Sequence, residues 1–322
     1  MQASIALVGG IVAYNEEKTI VASVRSLLDQ ELPSHVHWAQ IWIVASGCTD
    51  RTGEFVRAIA ESDPRVRLIE QAERQGKADA LNAIFARADG DLLVLLNGDS
   101  IAQPGAIRAL VEAARDLGPP FAVMGRPVVP PTLGKNALGG VLQILWSVHE
   151  VIHRETLTAG SGNHLSDELL LVSLPFSEPL PDGTINDGAF IGSSLRRRNG
   201  CLRYAQNARV GIQVPTTAEG YLTQRRRIYV GHARQTRANG GAPTTLLSLA
   251  VRQPGRAWSA MRRCWSTTPH RDRWAVLVLL ESLAIVLAMW DELPPRRDQT
   301  RWRRVRHPTG WPLDSETESV RT

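Results

Sequence analysis

The sequence predicts an α/β fold in which a mostly parallel β-sheet carries helices on both faces. Over the first hundred residues, apolar runs of strand length alternate with segments whose apolar residues recur at helical spacing. Polar clusters follow three of the predicted strands at the points where they end. This pattern is typical of parallel sheets, which bind ligands beyond the carboxyl ends of their strands.

The predicted elements alternate strictly along the N-terminal part. Strands are predicted at 5–13, 41–45, 66–70 and 91–96, and helices at 17–30, 52–61 and 77–88. Residues 126–183 are less regular and contain one helix around Trp146. Beyond them the pattern predicts a helix at 189–198, a strand at 210–214 and a helix that includes residues 224–227.

Composition favours a globular protein of a reducing compartment. The 322 residues are 43% hydrophobic, which is enough for one large core or two small ones. The three cysteines are scattered and form no C-x-x-C pair, so no disulfide framework is expected. The first apolar run is interrupted at once by Asn15-Glu16-Glu17 and follows no basic segment, so we expect no secretory signal and a cytoplasmic location.

The polar clusters at the strand ends are the first candidates for a site. They comprise Asn15-Glu16, residues 46–50 and Asn97-Gly98-Asp99. Asp99 places a carboxylate at the exposed end of a buried strand, where Mg²⁺ or Mn²⁺ can be held by one or two carboxylates and substrate phosphate oxygens. Taken alone, this cluster is more typical of a turn without a ligand.

Three features further along the chain could also carry chemistry. Asp187 is a lone carboxylate that suits a general base away from a metal, or a helix N-cap. Gln224 and the arginines at 225–227 suit phosphate oxygens, although a solvated helix face or a nucleic-acid patch would use the same residues. Lys77, at a helix start, suits a phosphate or a base carbonyl. The chain has neither a phosphate loop nor a G-x-G-x-x-G dinucleotide motif.

In this order the motifs resemble the family 2 glycosyltransferases with the GT-A fold. The resemblance covers residues 5–232 and rests on six individually weak motifs: 12–17, 46–52, 76–82, 97–99, 186–187 and 224–227. It implies inverting transfer of a sugar from a nucleoside-diphosphate sugar to a hydroxyl acceptor that is lipid-linked or part of a polysaccharide. It further implies a nucleotide-sugar-binding half at 1–125, an acceptor-binding half at 126–240 and a C-terminal helical region at 241–322.

The resemblance also implies roles for individual residues. Asp187 would be the base, and Asp99 would hold Mn²⁺ or Mg²⁺. His232, which follows the arginine cluster, is a candidate for a further metal contact. The expected contacts to the nucleotide sugar are Ala13, Tyr14, Asn15, Glu16, Lys77, Asn97, Gly98 and Asp99. The expected contacts to the diphosphate or acceptor are Gln224, Arg226 and Arg227.

The sequence departs from the family pattern at several of these positions. Asn97 stands where the family has an aspartate, which predicts weaker metal affinity. Ala45 and Ser46 stand where the family usually has a carboxylate that contacts the nucleotide base, and Ile228 replaces a tryptophan. These departures motivate an alternative, a catalytically silent sugar-nucleotide-binding or scaffold protein. A nucleotidyltransferase is a third interpretation, because that class shares the α/β architecture and metal-binding carboxylates.

The C-terminal part predicts contact with a membrane. Residues 274–290 are the most apolar stretch, but they are shorter than the roughly 20 residues of a bilayer span and have Glu281 at their centre. Tryptophans at both ends favour a helix at the membrane interface, while a buried helix with Glu281 paired to an arginine remains an alternative. The basic tail, 296–306, favours anionic lipid over nucleic acid because it follows this helix. We therefore expect the protein at the inner face of the cell membrane.

Overall fold

The computed structural model describes residues 4–130, 137–239, 242–267 and 271–293. Within them, eight strands form one sheet with the order β3-β2-β1-β4-β7-β6-β8-β5. The strands are β1 Ile5–Ala13, β2 Val36–Ser46, β3 Val66–Gln71, β4 Leu92–Asn97, β5 Ile101–Ala102, β6 Phe121–Val128, β7 Leu169–Ser173 and β8 Cys201–Gly211. The helices are α1 Ile20–Leu28, α2 Thr52–Ser62, α3 Lys77–Phe85, α4 Ala106–Ala114, α5 Ala137–Thr158, α6 Asp187–Arg197, α7 Ala218–Asn239, α8 Leu246–Arg252, α9 Pro254–Thr267 and α10 Trp274–Asp291.

The first four long strands confirm the predicted parallel sheet. β3, β2, β1 and β4 are neighbours in that order and all run parallel. Successive side chains of a strand point to opposite faces, so Leu7 and Ile11 of β1 enter one hydrophobic cluster and Val8 enters another. The first cluster includes residues of α1, α4 and α5, and the second includes residues of α3 and α6. Helices therefore cover both faces.

The other half of the sheet differs from the prediction. Residues 126–183, expected to be irregular apart from one helix, hold the end of β6, the 22-residue α5 and the whole of β7. The strand predicted at 210–214 is wrong in its bounds, because β8 covers Cys201–Gly211. Polar residues interrupt the apolar pattern of β8 at Arg203, Gln206 and Arg209, so most of this strand does not form an apolar run in the sequence.

β7 makes the sheet mixed. It lies between β4 and β6 and runs antiparallel to both. Leu96, next to the end of β4, pairs with Leu169 at the start of β7. Because of this register, the residues just before β7 lie at the same edge of the sheet as the residues just after β4.

The C-terminal helix α10 packs on α7 through the charged residue at its centre, Glu281. Arg225 of α7 donates to both carboxylate oxygens of Glu281, at 2.8 and 2.7 Å, and the hydroxyls of Tyr221 and Tyr229 donate to the same carboxylate. The expected pairing of Glu281 with an arginine is therefore present. The opposite side of α10 is not buried, however: Leu279 is 68% exposed.

The outer side of α10 is a continuous apolar stripe. Leu279, Leu283, Val286 and Trp290 recur at helical spacing, and each is at least 42% exposed. By length and composition alone, 271–291 is a candidate membrane span. The basic tail at 296–306 lies outside the described residues.

Candidate functional site

A cleft of about 270 Å³ opens at the carboxyl ends of the parallel strands, where the sequence predicts a site. Its walls come from the ends of β1, β2 and β4, the start of α3, the segment before β7, the start of α6, and the inner sides of α5 and α7. Two halves of the chain that are distant in sequence therefore meet across one cavity.

The segment after β1 contributes two of its four predicted contacts to the cleft. Tyr14 and Glu16 line the cavity, whereas Ala13 is buried. Asn15 has a positive φ of 56° and turns its amide to Thr49, whose backbone N–H donates to Asn15 Oδ1 at 2.8 Å. Asn15 thus ties two loops together and is not part of the cleft wall. The guanidinium of Arg74 lies over the Tyr14 ring at 3.7 Å.

Lys77 joins the two carboxylates at the centre of the cleft. Its Nζ forms ion pairs with Asp167 and with Asp187, the latter at 3.0 Å. Burial lowers the pKa of Lys77, but the charges of Asp167 and Asp187 outweigh it and raise this pKa overall. Lys77, which was expected to contact the nucleotide, therefore stays charged and is held by side chains of the protein.

Asp187 lies in the first turn of α6, with a side chain that is only 6% exposed. Burial, reinforced by the charge of Asp167, raises the pKa of Asp187 to about 7. The next residue, Gly188, cannot be replaced by a larger residue without a shift of the backbone, because a Cβ at this position would lie 2.3 Å from the carbonyl oxygen of Leu165. Close approach of α6 to this segment brings Asp167 and Asp187 together.

Glu168 supplies a carboxylate beside the Asn97-Gly98-Asp99 turn. The amide of Asn97 donates to Glu168 Oε2 at 2.9 Å, and the hydroxyl of Ser100 donates to the same oxygen at 3.0 Å. Burial, followed by the charges of Asp167 and Asp99, raises the pKa of Glu168 to about 8. Asn97 lines the cleft and binds the carboxylate of Glu168, a residue that lies outside the Asn97-Gly98-Asp99 turn.

Sequence reasoning did not find Asp167 or Glu168. Both directly precede the apolar run Leu169–Val172, which could have been recognised as a strand. The direction of that strand was the missing information, because only an antiparallel strand presents its amino end at this edge.

The arginine cluster on α7 divides between the cleft and the C-terminal helix. Gln224 and Arg227 line the cavity. Burial lowers the pKa of Arg227, and the charges of Asp187 and Asp167 oppose this shift. Arg226, expected to contact the diphosphate or acceptor, instead forms an ion pair with Asp291 of α10 and is not among the residues that line the cavity.

His232 lines the cleft within a group of rings rather than among carboxylates. Its ring lies 5.0 Å from that of His164 in an edge-to-face arrangement. Within the described residues, no three histidine, cysteine or acidic side chains are placed to hold a metal ion. The structure therefore gives no support to His232 as a third metal contact.

Comparisons with known proteins agree with this architecture. Residues 10–156 match the model of glycosyl transferase family 2. The succinoglycan biosynthesis protein ExoO of Rhizobium meliloti is 34% identical over 119 residues, 37% of this chain and 32% of that protein. A poly-beta-1,6-N-acetyl-D-glucosamine synthase of Staphylococcus aureus is 25% identical over 220 residues, 67% of this chain and 52% of that protein. The chain thus spans between about a third and a half of the length of these two relatives.

The fold also matches that of a solved enzyme. The mannosyltransferase PcManGT from Pyrobaculum calidifontis, in complex with GDP-Man and Mn²⁺, has a TM-score of 0.66 and 18% identity, covering 90% of this chain and 88% of that one. The fold is therefore GT-A, as the motifs predicted. The match over residues 10–156 and these relatives make the chain similar to the family 2 glycosyltransferases.

Replacing Asp187 with asparagine is expected to raise the melting temperature at pH 8 and to leave it unchanged at pH 4. The pKa of about 7 in the folded protein exceeds the value of roughly 3.9 in unfolded chains. Ionisation of Asp187 therefore costs stability that appears as pH rises from about 4 to 7, and asparagine removes this cost. Thermal unfolding at the two pH values measures the effect.

Asp63→Asn provides the control of opposite sign. Hydrogen bonds from Arg65 lower the pKa of Asp63, so the charge of Asp63 stabilises the fold at pH values above the pKa of the unfolded chain. Removal of this charge should therefore not raise the melting temperature at pH 8. A lower melting temperature for Asp187→Asn than for the wild type at pH 8 would contradict the assignment.

Proposed function

We propose that the chain transfers a sugar from a nucleoside-diphosphate sugar to a hydroxyl acceptor with inversion, and that Asp187 is the base. The observation that carries this proposal is the position of Asp187: a nearly buried carboxylate with a pKa near 7, in the same cleft as Asp99. A general base works best when its pKa lies near the working pH. This arrangement favours an active enzyme over a silent binding protein.

The chemical step follows from the placement of the charges. The acceptor oxygen attacks the anomeric carbon while its proton passes to the carboxylate of Asp187. The bond between that carbon and the diphosphate oxygen breaks on the opposite side, and the diphosphate leaves with the electron pair. Lys77 keeps the carboxylates of Asp187 and Asp167 in place, and we assign it this positioning role rather than contact with the nucleotide.

The donor would lie against the ends of β1 and β4. Tyr14, Glu16 and Gly98 line this side of the cleft and are the proposed contacts to the nucleotide sugar. Arg227 and Gln224 line the cleft from α7, and the guanidinium of Arg227 suits the oxygens of the leaving diphosphate.

The residues at the end of β4 fit a hard divalent cation. Asp99 and Glu168 would hold Mn²⁺ or Mg²⁺, because these ions are bound by one or two carboxylates together with substrate phosphates. Such a cation would neutralise charge that develops on the departing diphosphate. Glu168 would supply the charge that Asn97 lacks, while Asn97 and Ser100 fix its position. The Mn²⁺ in the PcManGT complex supports the choice of metal.

Asp187→Asn is expected to lower the transfer rate by about a hundredfold to ten thousandfold while donor affinity stays within about twofold. The variant keeps the shape of the side chain but cannot take up the acceptor proton. Initial rates with a panel of UDP-, GDP- and dTDP-sugars, and calorimetric titration with the donor that binds, measure the two quantities. Asp182→Asn, in the exposed loop before α6, is the matched control. Near-normal turnover by Asp187→Asn would refute the assignment of the base.

Asp99→Asn and Glu168→Gln are each expected to weaken Mn²⁺-dependent donor binding about tenfold or more, because each removes one charged ligand. Electron paramagnetic resonance of Mn²⁺ with UDP or GDP measures binding without turnover. Glu178→Gln, which removes a partly exposed carboxylate paired with Arg197, is the control. Unchanged Mn²⁺ affinity in Glu168→Gln would leave Asp99 as the sole proposed ligand.

We further propose that the C-terminal helices rest on an anionic membrane surface at the inner face of the cell membrane. The exposed apolar stripe of α10 is joined by exposed aromatic side chains of α9, Trp258 at 71% and Trp265 at 45%. Arginines 256, 262 and 263 of α9 are interspersed with them. Apolar and tryptophan side chains beside basic ones are typical of interfacial helices.

Leu279→Asp/Leu283→Asp is expected to abolish most binding to vesicles of phosphatidylcholine with phosphatidylglycerol, measured by flotation. The substitutions place two charges in the stripe without touching the Glu281 contacts on the other side of α10. Ala58→Asp/Ser62→Asp adds the same charges at the same spacing on the exposed side of α2 and should float normally. If the wild type bound vesicles without phosphatidylglycerol, and if this binding did not change with salt concentration, the electrostatic part of the proposal would be contradicted.

A further inference from the structure

A row of five aromatic rings lines the cleft. Trp146, His149 and His153 lie on α5, His164 lies before β7, and His232 lies on α7; four of them are histidines. Successive ring centroids are 5.4, 5.8, 5.2 and 5.0 Å apart. All five side chains line the cavity, and we call them the histidine wall.

The histidine wall is uncharged at neutral pH. Burial lowers the pKa of His153, His164 and His232 to about 3, with neighbouring imidazoles and Arg225 contributing. The pKa of His149 is also well below its ordinary value, for the same reasons. None of these five rings is the proposed base or a proposed metal ligand.

The hydrogen bonds of two rings define which nitrogen carries the proton. His153 Nδ1 lies 2.8 Å from the carbonyl oxygen of His149, and His164 Nδ1 lies 3.3 Å from that of Thr244. A carbonyl only accepts, so in both neutral rings Nδ1 carries the proton and Nε2 presents a lone pair. The wall therefore offers hydrogen-bond acceptors.

Two Nε2 atoms of the histidine wall have no hydrogen-bond partner in the part of the chain that the structure describes. His153 Nε2 and His232 Nε2 are both buried and make no hydrogen bond there. His153 as a whole is 3% exposed. A buried polar atom without a partner destabilises the fold unless a ligand or water satisfies it. Both rings line the cleft, so a ligand there can reach them.

The chemistry of the wall selects the class of ligand. Among the described residues, no three histidine, cysteine or acidic side chains are placed so that they could hold a metal ion, which argues against a metal site here. A neutral row of lone pairs offers no charge to an anionic group, and the positive charge of nearby Arg225 disfavours an ammonium group. Hydroxyl groups satisfy such acceptors. The half-exposed indole of Trp146 suits the apolar C–H face of a sugar ring.

We propose that the histidine wall is the acceptor subsite and that it takes an uncharged saccharide, whose hydroxyls donate to Nε2 of His153 and pair with Nε2 of His232 while its apolar face lies on Trp146. This assignment of an acceptor class rests on the proposed glycosyl transfer. It makes His153 and His232 specificity-determining residues that bind the acceptor and leaves proton removal to Asp187.

Binding of neutral glycosides tests the subsite apart from catalysis. The probes are the methyl glycosides of glucose, mannose and N-acetylglucosamine, added with UDP or GDP and Mn²⁺ and followed by saturation-transfer NMR. The wild type is expected to bind at least one of them. His153→Phe and His232→Phe, which keep a ring but remove Nε2, are each expected to weaken binding about tenfold. Where transfer is measurable, the acceptor KM should rise by the same factor.

Rescue and control variants separate binding from folding. His153→Gln restores an acceptor oxygen and should recover part of the affinity, which a purely structural role would not produce. His37→Phe, on an exposed position of β2, should bind the glycosides as the wild type does. Nucleotide affinity and the melting temperature of each variant report whether the fold is intact.

The outcomes distinguish the two proposals. Glycoside binding that depends on His153 and His232, in a protein that transfers no sugar to any acceptor, would support the subsite and refute the proposed function. Sugar transfer together with unchanged glycoside binding in both phenylalanine variants would refute the subsite. Binding of inorganic phosphate, but of no glycoside, at these two histidines would also refute it.

Discussion

Strand β7 runs antiparallel to β4, with Leu169 opposite Leu96, and the arrangement of the cleft depends on this pairing. It carries Asp167 and Glu168 to the edge where the parallel strands end. Glu168 then accepts hydrogen bonds from the turn after β4. A parallel strand in the same place would put its amino end, and both carboxylates, at the opposite edge of the sheet.

The resulting density of negative charge explains the positions of the cations. Asp167 and Asp187 share Lys77, and Arg227 lines the same cleft from α7. Burial and the charge of Asp167 both disfavour further negative charge in the cleft, so the pKa values of Asp187 and Glu168 are both raised. A diphosphate and a divalent cation would enter a site already organised around charge balance.

Helix α10 has its polar contacts inside and its apolar stripe outside. Glu281, at the centre of the helix, is bound by Arg225 and two tyrosines of α7, while Leu279 and Trp290 face away from the protein. Arg226 and Arg227 are adjacent on α7 but have different contacts: Arg226 forms an ion pair with Asp291 of α10, and Arg227 lines the cleft. Helix α7 therefore carries both a residue of the cleft and a residue that binds α10, the helix with the exposed apolar stripe.

The sequence by itself determined the parallel half of the sheet, because apolar periodicity and strand-end polar clusters are local properties of the chain. It also located Asp99 and Asp187 at their turns. The tertiary structure decided the direction of β7, hence the presence of Asp167 and Glu168, and which way Asn15 and Arg226 face. It also assembled the histidine wall from α5, α7 and the segment before β7. These features depend on contacts between residues tens of positions apart, and no local pattern specifies the register or orientation that produces them.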